Sequence, residues 1–476
     1  MQSMQITPVT MEADPQALGP RPRVALITPY SGGNLGDAAI QDSMISNLRR
    51  RIPGAQFLGI TLNGDNFLMK HGDGAFPLLA ARMPFCYQSR KDLADEPNGT
   101  ERSGIASGDP VPKKGTNPFR RALRSIPGVA PLLKRARTWV SAIRREILHS
   151  IEGYRVLRTQ DLLVISGGGQ FDEEFGGAWR LPFAFCKWVL VARAAGVPCV
   201  VASVGAGRIV SPGSRIFISM VLRMSCYRSY RDSHSRAILA KLVSSAANDS
   251  VVADLAFSMP DSELPPPAGA IRKLARGRPV VVLSPMAYAK PVNWPTPNRA
   301  LYDRYVQQMA RVLCGLSRQG YFVVVACSSL GDDETVIPDL MGGLSDEVRR
   351  SLDGQIHFPE IKTWKDFVAV MRDADYLVAS RLHGTILGFV AQTPAVAISV
   401  DPKVDWVMED LGQTDSLLQF RDFTAEDVLN AIDRIKVHRD TVVERITSYR
   451  QGVLLASQQQ YDSLARLALA HHQSHN

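Results

Sequence analysis

Val24-Ala25-Leu26-Ile27-Thr28 is a short continuous apolar run that leads through Pro29 and Tyr30 into Ser31-Gly32-Gly33-Asn34-Leu35-Gly36-Asp37, and an apolar-periodic stretch begins just after it. A run of this kind reads as a strand buried on both faces. Glycines in a strand-to-helix turn let the backbone approach a ligand, and the N–H groups at the helix start favour an anion or a polar sugar group. The dinucleotide spacing G-x-G-x-x-G is absent, and a merely tight turn is the competing reading.

Working outward, similar runs at 57–62, 162–166, 199–204 and 251–253 are separated in several places by helical patterns, which predicts parallel βαβ units. Residues 261–278 contain Pro265, Pro266, Pro267, Gly269 and Gly277 and read as an interdomain linker. The rhythm restarts at 280–283, 322–326, 376–379 and 395–400. The predicted fold class is α/β, with two doubly wound Rossmann-like domains at 23–260 and 279–422. A flexible N-terminus at 1–22 and a helical tail at 423–476 flank them. A chain of 476 residues with 45% apolar composition can fill two cores.

The net charge is +9, but ten basic residues and no acid lie between Lys113 and Arg145, which leaves the rest of the chain near −1. That local block, without any RNA or DNA module signature, argues against a nucleic-acid partner. The most apolar stretch, 181–207, is broken by Lys187, Arg193 and Pro198 and does not suit a membrane span. No secretory start is visible, and six cysteines without a C-x-x-C pair read as reduced, buried thiols. A cytoplasmic protein is expected.

An insertion at about 67–151 carries the basic block. At its end Leu132, Ala136, Trp139, Val140, Ile143, Ile147 and Ile151 recur at helical spacing, while Lys134, Arg135, Arg137, Arg144 and Arg145 take other faces. This predicts a basic amphipathic helix over 132–151. It packs on its own domain with a solvated basic face, touches an anionic membrane at the inner face of the cytoplasmic membrane, or meets a protein partner.

Three further motifs stand at strand ends. Ser166-Gly167-Gly168-Gly169-Gln170 leaves backbone amides unobstructed where open α/β sheets bind ligands, and Asp172 just beyond is a candidate base or an Asx cap. Tyr230-Arg231-Asp232-Ser233-His234-Ser235 offers a guanidinium fork for a carboxylate or phosphate, with Asp232 and Ser235 as helix caps. Ser380-Arg381-Leu382-His383-Gly384 joins an anion-binding arginine, a proton-exchanging histidine and a close-approach glycine, and Lys403 follows the next strand. Asp332-Asp333-Glu334 reads as a solvated loop, Glu173 and Glu174 as a solvated helix turn, and His234 as a surface residue. Trp179, Trp294 and Trp406 are candidates for stacking on a sugar.

Taken in order, Gly33-Asn34-Leu35-Gly36-Asp37, Gly167-Gly168-Gly169, Arg231-Asp232-x-x-Ser235, 254–257, Ser380 to Gly384 and Asp401-Pro402-Lys403 resemble the polysaccharide pyruvyl transferase family. The resemblance spans about 24–412 and departs from the family at Leu255, Val400 and the basic insertion. It implies a GT-B-like pair of domains facing across a cleft that holds the site. It also implies phosphoenolpyruvate as co-substrate, no further cofactor and no metal, and a glycan acceptor, in one version lipid-linked. On that basis Arg231, Arg381 and Lys403 are expected to bind phosphoenolpyruvate, with His383 the general acid and Asp172 the base. Gly33, Asn34, Gly36, Asp37, Gly167, Gly168, Gly169 and Gly384 are expected near the ligand. The competing readings are a nucleotide-sugar glycosyltransferase and a non-catalytic component of a polysaccharide assembly complex.

Overall fold

The computed structural model describes residues 21–80, 129–174, 176–291, 294 and 296–475, with side chains described from 138 onward in the helix that starts at 129. The predicted flexible N-terminus up to residue 20 and insertion residues 81–128 lie outside the described residues.

The first half contains β1 (Arg23–Thr28), α1 (Leu35–Arg51), β2 (Gln56–Thr61), α2 (Gly64–His71), β3 (Ala75–Pro77) and the long α3 (Val129–Leu157). It continues with β4 (Leu162–Ser166), α4 (Leu181–Ala194), β5 (Cys199–Val204), α5 (Pro212–Met224), β6 (Tyr227–Tyr230), α6 (Ser233–Ala240) and β7 (Ser250–Val251). Its strands pair in parallel in the order β3-β2-β1-β4-β5-β6-β7.

After α7 (Ala270–Ala275) come β8 (Val280–Ser284), α8 (Arg299–Arg318), β9 (Phe322–Val325), α9 (Val336–Gly342), α10 (Asp346–Ser351) and β10 (Ile356–His357). Then follow α11 (Trp364–Arg372), β11 (Tyr376–Ala379), α12 (Leu382–Val390), β12 (Ala395–Ser399), α13 (Pro402–Asp410) and β13 (Leu417–Gln419). These strands form a second parallel sheet, β10-β9-β8-β11-β12-β13. The chain closes with α14 (Ala425–Val437) and α15 (Arg439–His475).

The central strands are continuous apolar runs because helices cover both faces. Val24 to Ile27, Leu162 to Ile165 and Val280 to Leu283 have no exposed surface. Strand order reverses between β1 and β4 and again between β8 and β11. Loops at such reversals open a crevice beyond the carboxyl ends of the strands. The glycine turn after β1, the triple glycine after β4 and the Arg381–His383 segment after β11 all stand at these points.

The two halves share one apolar cluster. Leu35, Ile40 and Met44 of α1 join Trp364 and Phe367 of α11 and Ile386 and Phe389 of α12. The Trp364 indole donates to Asp42 Oδ2 at 2.7 Å across this seam. The proline-rich stretch after 260 is not a free tether: Ile271 and Ala275 of α7 are buried in the shared cluster, and Arg272 clamps Asp375.

Helix α15 returns from the second half to the first. Tyr461 and Ser258 exchange a hydrogen bond at 2.7 Å, Gln460 donates to the buried Ser203 at 3.1 Å, and Arg51 pairs with Asp462.

Regular structure also reaches further into the predicted insertion than its stated start. Phe67 is a buried residue of α2, and β3 pairs with β2. Among the described cysteines Cys226 is exposed, so not every thiol is buried. Among the described residues, no helix is long and apolar enough to cross a membrane.

Candidate active site

The glycine turn after β1 is pinned to the opposite half of the molecule. Leu35 donates its N–H to the Ser328 carbonyl at 3.0 Å, and Leu330 donates to the Gly33 carbonyl at 2.8 Å. A methyl group on Gly33 would meet the Leu330 carbonyl oxygen at 2.9 Å. Asn34 caps α1, its side-chain oxygen accepting from Gly36 and Asp37. Gly33 and Asn34, expected beside a ligand, also fasten the domain seam and start the helix. Gly36 lies against the imidazole of His383, the first catalytic candidate from the other half.

His383 and Arg231 converge on one carboxylate. Asp254, 2% exposed, receives Arg231 Nη1 at 3.4 Å and His383 Nε2 at 3.7 Å, both at Oδ2. Its Oδ1 accepts the Ala256 N–H at 3.0 Å and so starts the single turn Leu255–Ser258. Burial works to raise the Asp254 carboxyl. The nearby His383 and its charge, the charge of Arg231 and the Ala256 amide overcome it and hold the group below its ordinary range.

Arg231 is 4% exposed, lies against Gly205 and also touches Asp232, while its Nη2 is buried with no partner. Asp232 caps α6 through Ser235 N–H, as the sequence predicts. Asp37, partly buried, shares this neighbourhood. Loss of solvation first, and then the Asp254 charge, push its carboxyl up, against the pull of His383, Arg231 and Arg381.

Arg381 stands at the start of α12 and is gripped by Asp333, through Nε to Oδ2 and through Nη2 to Oδ1 at 2.8 Å. Burial alone would lower the guanidinium, but the charge and hydrogen bonds of Asp333 raise it overall. Burial raises the Asp333 carboxyl against the pull of the Arg381 charge and its hydrogen bonds. Asp333 has no exposed surface and also accepts the Ala287 N–H, so the solvated-loop reading of this residue fails. Asp333 takes up two of the five guanidinium N–H groups.

The N-terminal turn of α12 has no side-chain cap. Ser284 and Ser328 end β8 and follow β9. Their buried hydroxyls have no partner, and a methyl group on Gly384 would meet them at 3.4 and 3.1 Å. Uncapped amides beside two unpartnered hydroxyls and a cation form a ready anion site.

On the other wall, Gly167 and Gly168 have φ of +43° and +73°, which only glycine adopts without strain. Gly168 faces Asp37, and Gly169 faces the Lys403 ammonium. Lys403 Nζ reaches Asp172 Oδ2 and Asp401 Oδ2, each at 3.4 Å. Asp172 also accepts the Glu174 N–H at 2.7 Å, so it combines the Asx turn with a cross-cleft contact.

The sequence profile of the family described as polysaccharide pyruvyl transferase matches residues 34–402. The chain belongs to the polysaccharide pyruvyl transferase family. No curated protein matches it by sequence. Solved structures resemble it in fold. A glycosyltransferase from Rickettsia africae has 10% identity and a TM-score of 0.51, covering 94% of this chain and 99% of its own. A UDP-GlcNAc 2-epimerase from Neisseria meningitidis bound to UDP-GlcNAc has 10% identity and 0.50, covering 93% and 100%. An Anabaena protein in complex with UDP and glucose has 11% identity and 0.50, covering 94% and 99%. These likenesses show the fold alone, which is of the GT-B type.

The charged residues expected at the site fall into two groups. Arg231 and His383 meet at Asp254, near Arg381 and Asp37; Lys403 and Asp172 meet on the far wall. The sequence reading missed Asp333, Ser284 and Ser328, and quoted Asp254 as part of a motif without giving it a role. A buried acid just past the last strand of the first sheet was the available signal for Asp254.

His234 is exposed, as expected of a surface residue, and stacks on Trp406 at 4.4 Å with a 6° tilt. One lesser expectation changes. Glu173 accepts from Ser211 at the start of α5 and is not a solvated helix turn. Trp294 packs on Tyr288, whereas Trp179 lies beside Phe183 and Phe217 and is 46% exposed.

Proposed function

We propose that the protein transfers a pyruvyl group from phosphoenolpyruvate to a sugar of an exopolysaccharide or cell-surface glycan precursor, forming a cyclic ketal and releasing phosphate. The observation that carries this reading is the convergence of His383 and Arg231 on Asp254 beside the uncapped, hydroxyl-lined start of α12. Phosphoenolpyruvate needs two anion sites and one acid at its methylene carbon, and this is such a set.

In this reaction His383, which stands beside Asp254, gives its proton to the methylene carbon. C2 becomes electrophilic, and an acceptor hydroxyl adds to it while losing its proton to Asp172. Phosphate departs with its bridging oxygen and takes up the proton of the second hydroxyl as that oxygen closes on C2, completing the ketal. Arg381 and the start of α12 hold one anionic group, the unpartnered Nη2 of Arg231 the other, and Lys403 neutralises the leaving phosphate. The work would take place at the cytoplasmic face, where phosphoenolpyruvate is available, with no further cofactor.

Thermal shift separates this reading from nucleotide-sugar transfer. Stabilisation by millimolar phosphoenolpyruvate and not by uridine diphosphate sugars supports it; the reverse pattern overturns it. Phosphate release by a folded His383→Ala protein at the native rate would remove His383 from the mechanism.

A further inference from the structure

The apolar stripe of α3 is not the face by which that helix packs. Ala142, His149, Gly153 and Leu157 turn inward, and Glu146 is held by the buried Lys187 at 2.7 Å. Ile143 and Ile147 are 53% and 54% exposed, and Trp139, Ile151 and Tyr154 stand out beside them. Arg144, Arg145 and Arg155 are exposed on the same helix, and Glu152 is the only exposed acid between 138 and 157. From Trp139 to Tyr154 the stripe runs about 22 Å along the axis.

The neighbouring helices extend this surface. Helix α4 packs between α3 and α5 on one side of the first sheet, so their outer faces point the same way. Neither α4 nor α5 contains an acidic residue. Leu190 and Ile216 are exposed there, and Arg215, Arg223 and Lys241 line a shallow groove floored by Met220 and Leu242.

We propose that this face docks flat on a bilayer containing anionic phospholipid. The isoleucines and Trp139 enter the headgroup boundary, and the arginines meet lipid phosphates. A second copy is a poor occupant, because face-to-face pairing would oppose arginine to arginine with few acids between them. The inference does not depend on the reaction proposed above.

The test is co-sedimentation of the full chain with vesicles of phosphatidylcholine alone or mixed with phosphatidylglycerol. Binding is expected only to the mixed vesicles and should weaken as salt rises. Ile143→Ser with Ile147→Ser, and separately Arg144→Gln with Arg145→Gln, should each lower partitioning at least tenfold. About 1 kcal/mol per arginine gives on the order of thirtyfold for the second pair. Because these side chains are exposed, both variants should keep the native melting temperature and the native rate on a soluble acceptor. Failure of the native chain to bind the mixed vesicles, equal binding by the variants, or a dimer that the isoleucine variant dissolves without any vesicle binding would each overturn the proposal.

Discussion

The imidazole of His383 rests on the backbone of Gly36 so closely that a methyl group there would fall 1.9 Å from its Cγ. Gly36 belongs to the first half of the molecule and His383 to the second, so one missing side chain lets the acid candidate enter the cleft.

Gly36→Ala should therefore displace the imidazole. The expected loss is about 1–3 kcal/mol of stability, the range for forced overpacking, with at least a tenfold fall in phosphate release from phosphoenolpyruvate. In a His383→Ala background the same change should cost much less, because the clashing ring is gone. Urea unfolding of the two single variants and the double variant checks this; strictly additive losses would argue against the contact.

Asp254 sets an acid-side limit on stability. Its folded carboxyl lies below the ordinary value of 3.8, so between those two values the unfolded chain binds more protons. Its contribution is complete above the unfolded value and is lost as pH falls through the folded one. Asp254→Asn should remove that part of the acid slope and cost roughly 3 kcal/mol at neutral pH, since it leaves Arg231 less compensated. Unfolding titrations between about pH 6 and pH 3 would show it.

Asp37 works with the opposite sign. Its folded carboxyl lies above 3.8, so ionising it opposes the fold once pH rises past the unfolded value. Asp37→Asn should raise the melting temperature at neutral pH, with the gain vanishing in acid. Reduced activity alongside that gain would mark a strained functional carboxylate. A lower melting temperature at neutral pH would contradict the assignment.

The strands were legible because central parallel strands are apolar on both sides, and the glycine, arginine and histidine segments were legible because they end those strands. Short edge strands such as β3, β10 and β13 carry too few residues to show a pattern. Asp333 was misread because an acidic triplet is usually solvated; only the fold brings Arg381 to it. The return of α15 was hidden for a related reason, since its anchors Gln460 and Tyr461 are isolated polar groups in a long helix. The stripe of α3 was found, but not which way it faces.

Asp333→Ala should release the Arg381 fork. A buried pair broken on one side typically costs 3–5 kcal/mol, and KM for phosphoenolpyruvate should rise more than kcat falls if Arg381 mainly binds the donor. Asp333→Asn, which keeps one acceptor, should be milder on both measures. Steady-state kinetics with unfolding curves decides between binding and turnover; unchanged KM in both variants would detach Asp333 from the donor site.

The most direct test is product analysis by NMR after incubating the protein with phosphoenolpyruvate and its oligosaccharide acceptor. The expected result is a new ketal methyl signal on the sugar with one phosphate released per ketal, both lost in His383→Ala. Sugar transfer from a nucleotide donor, with phosphoenolpyruvate left intact, would contradict it.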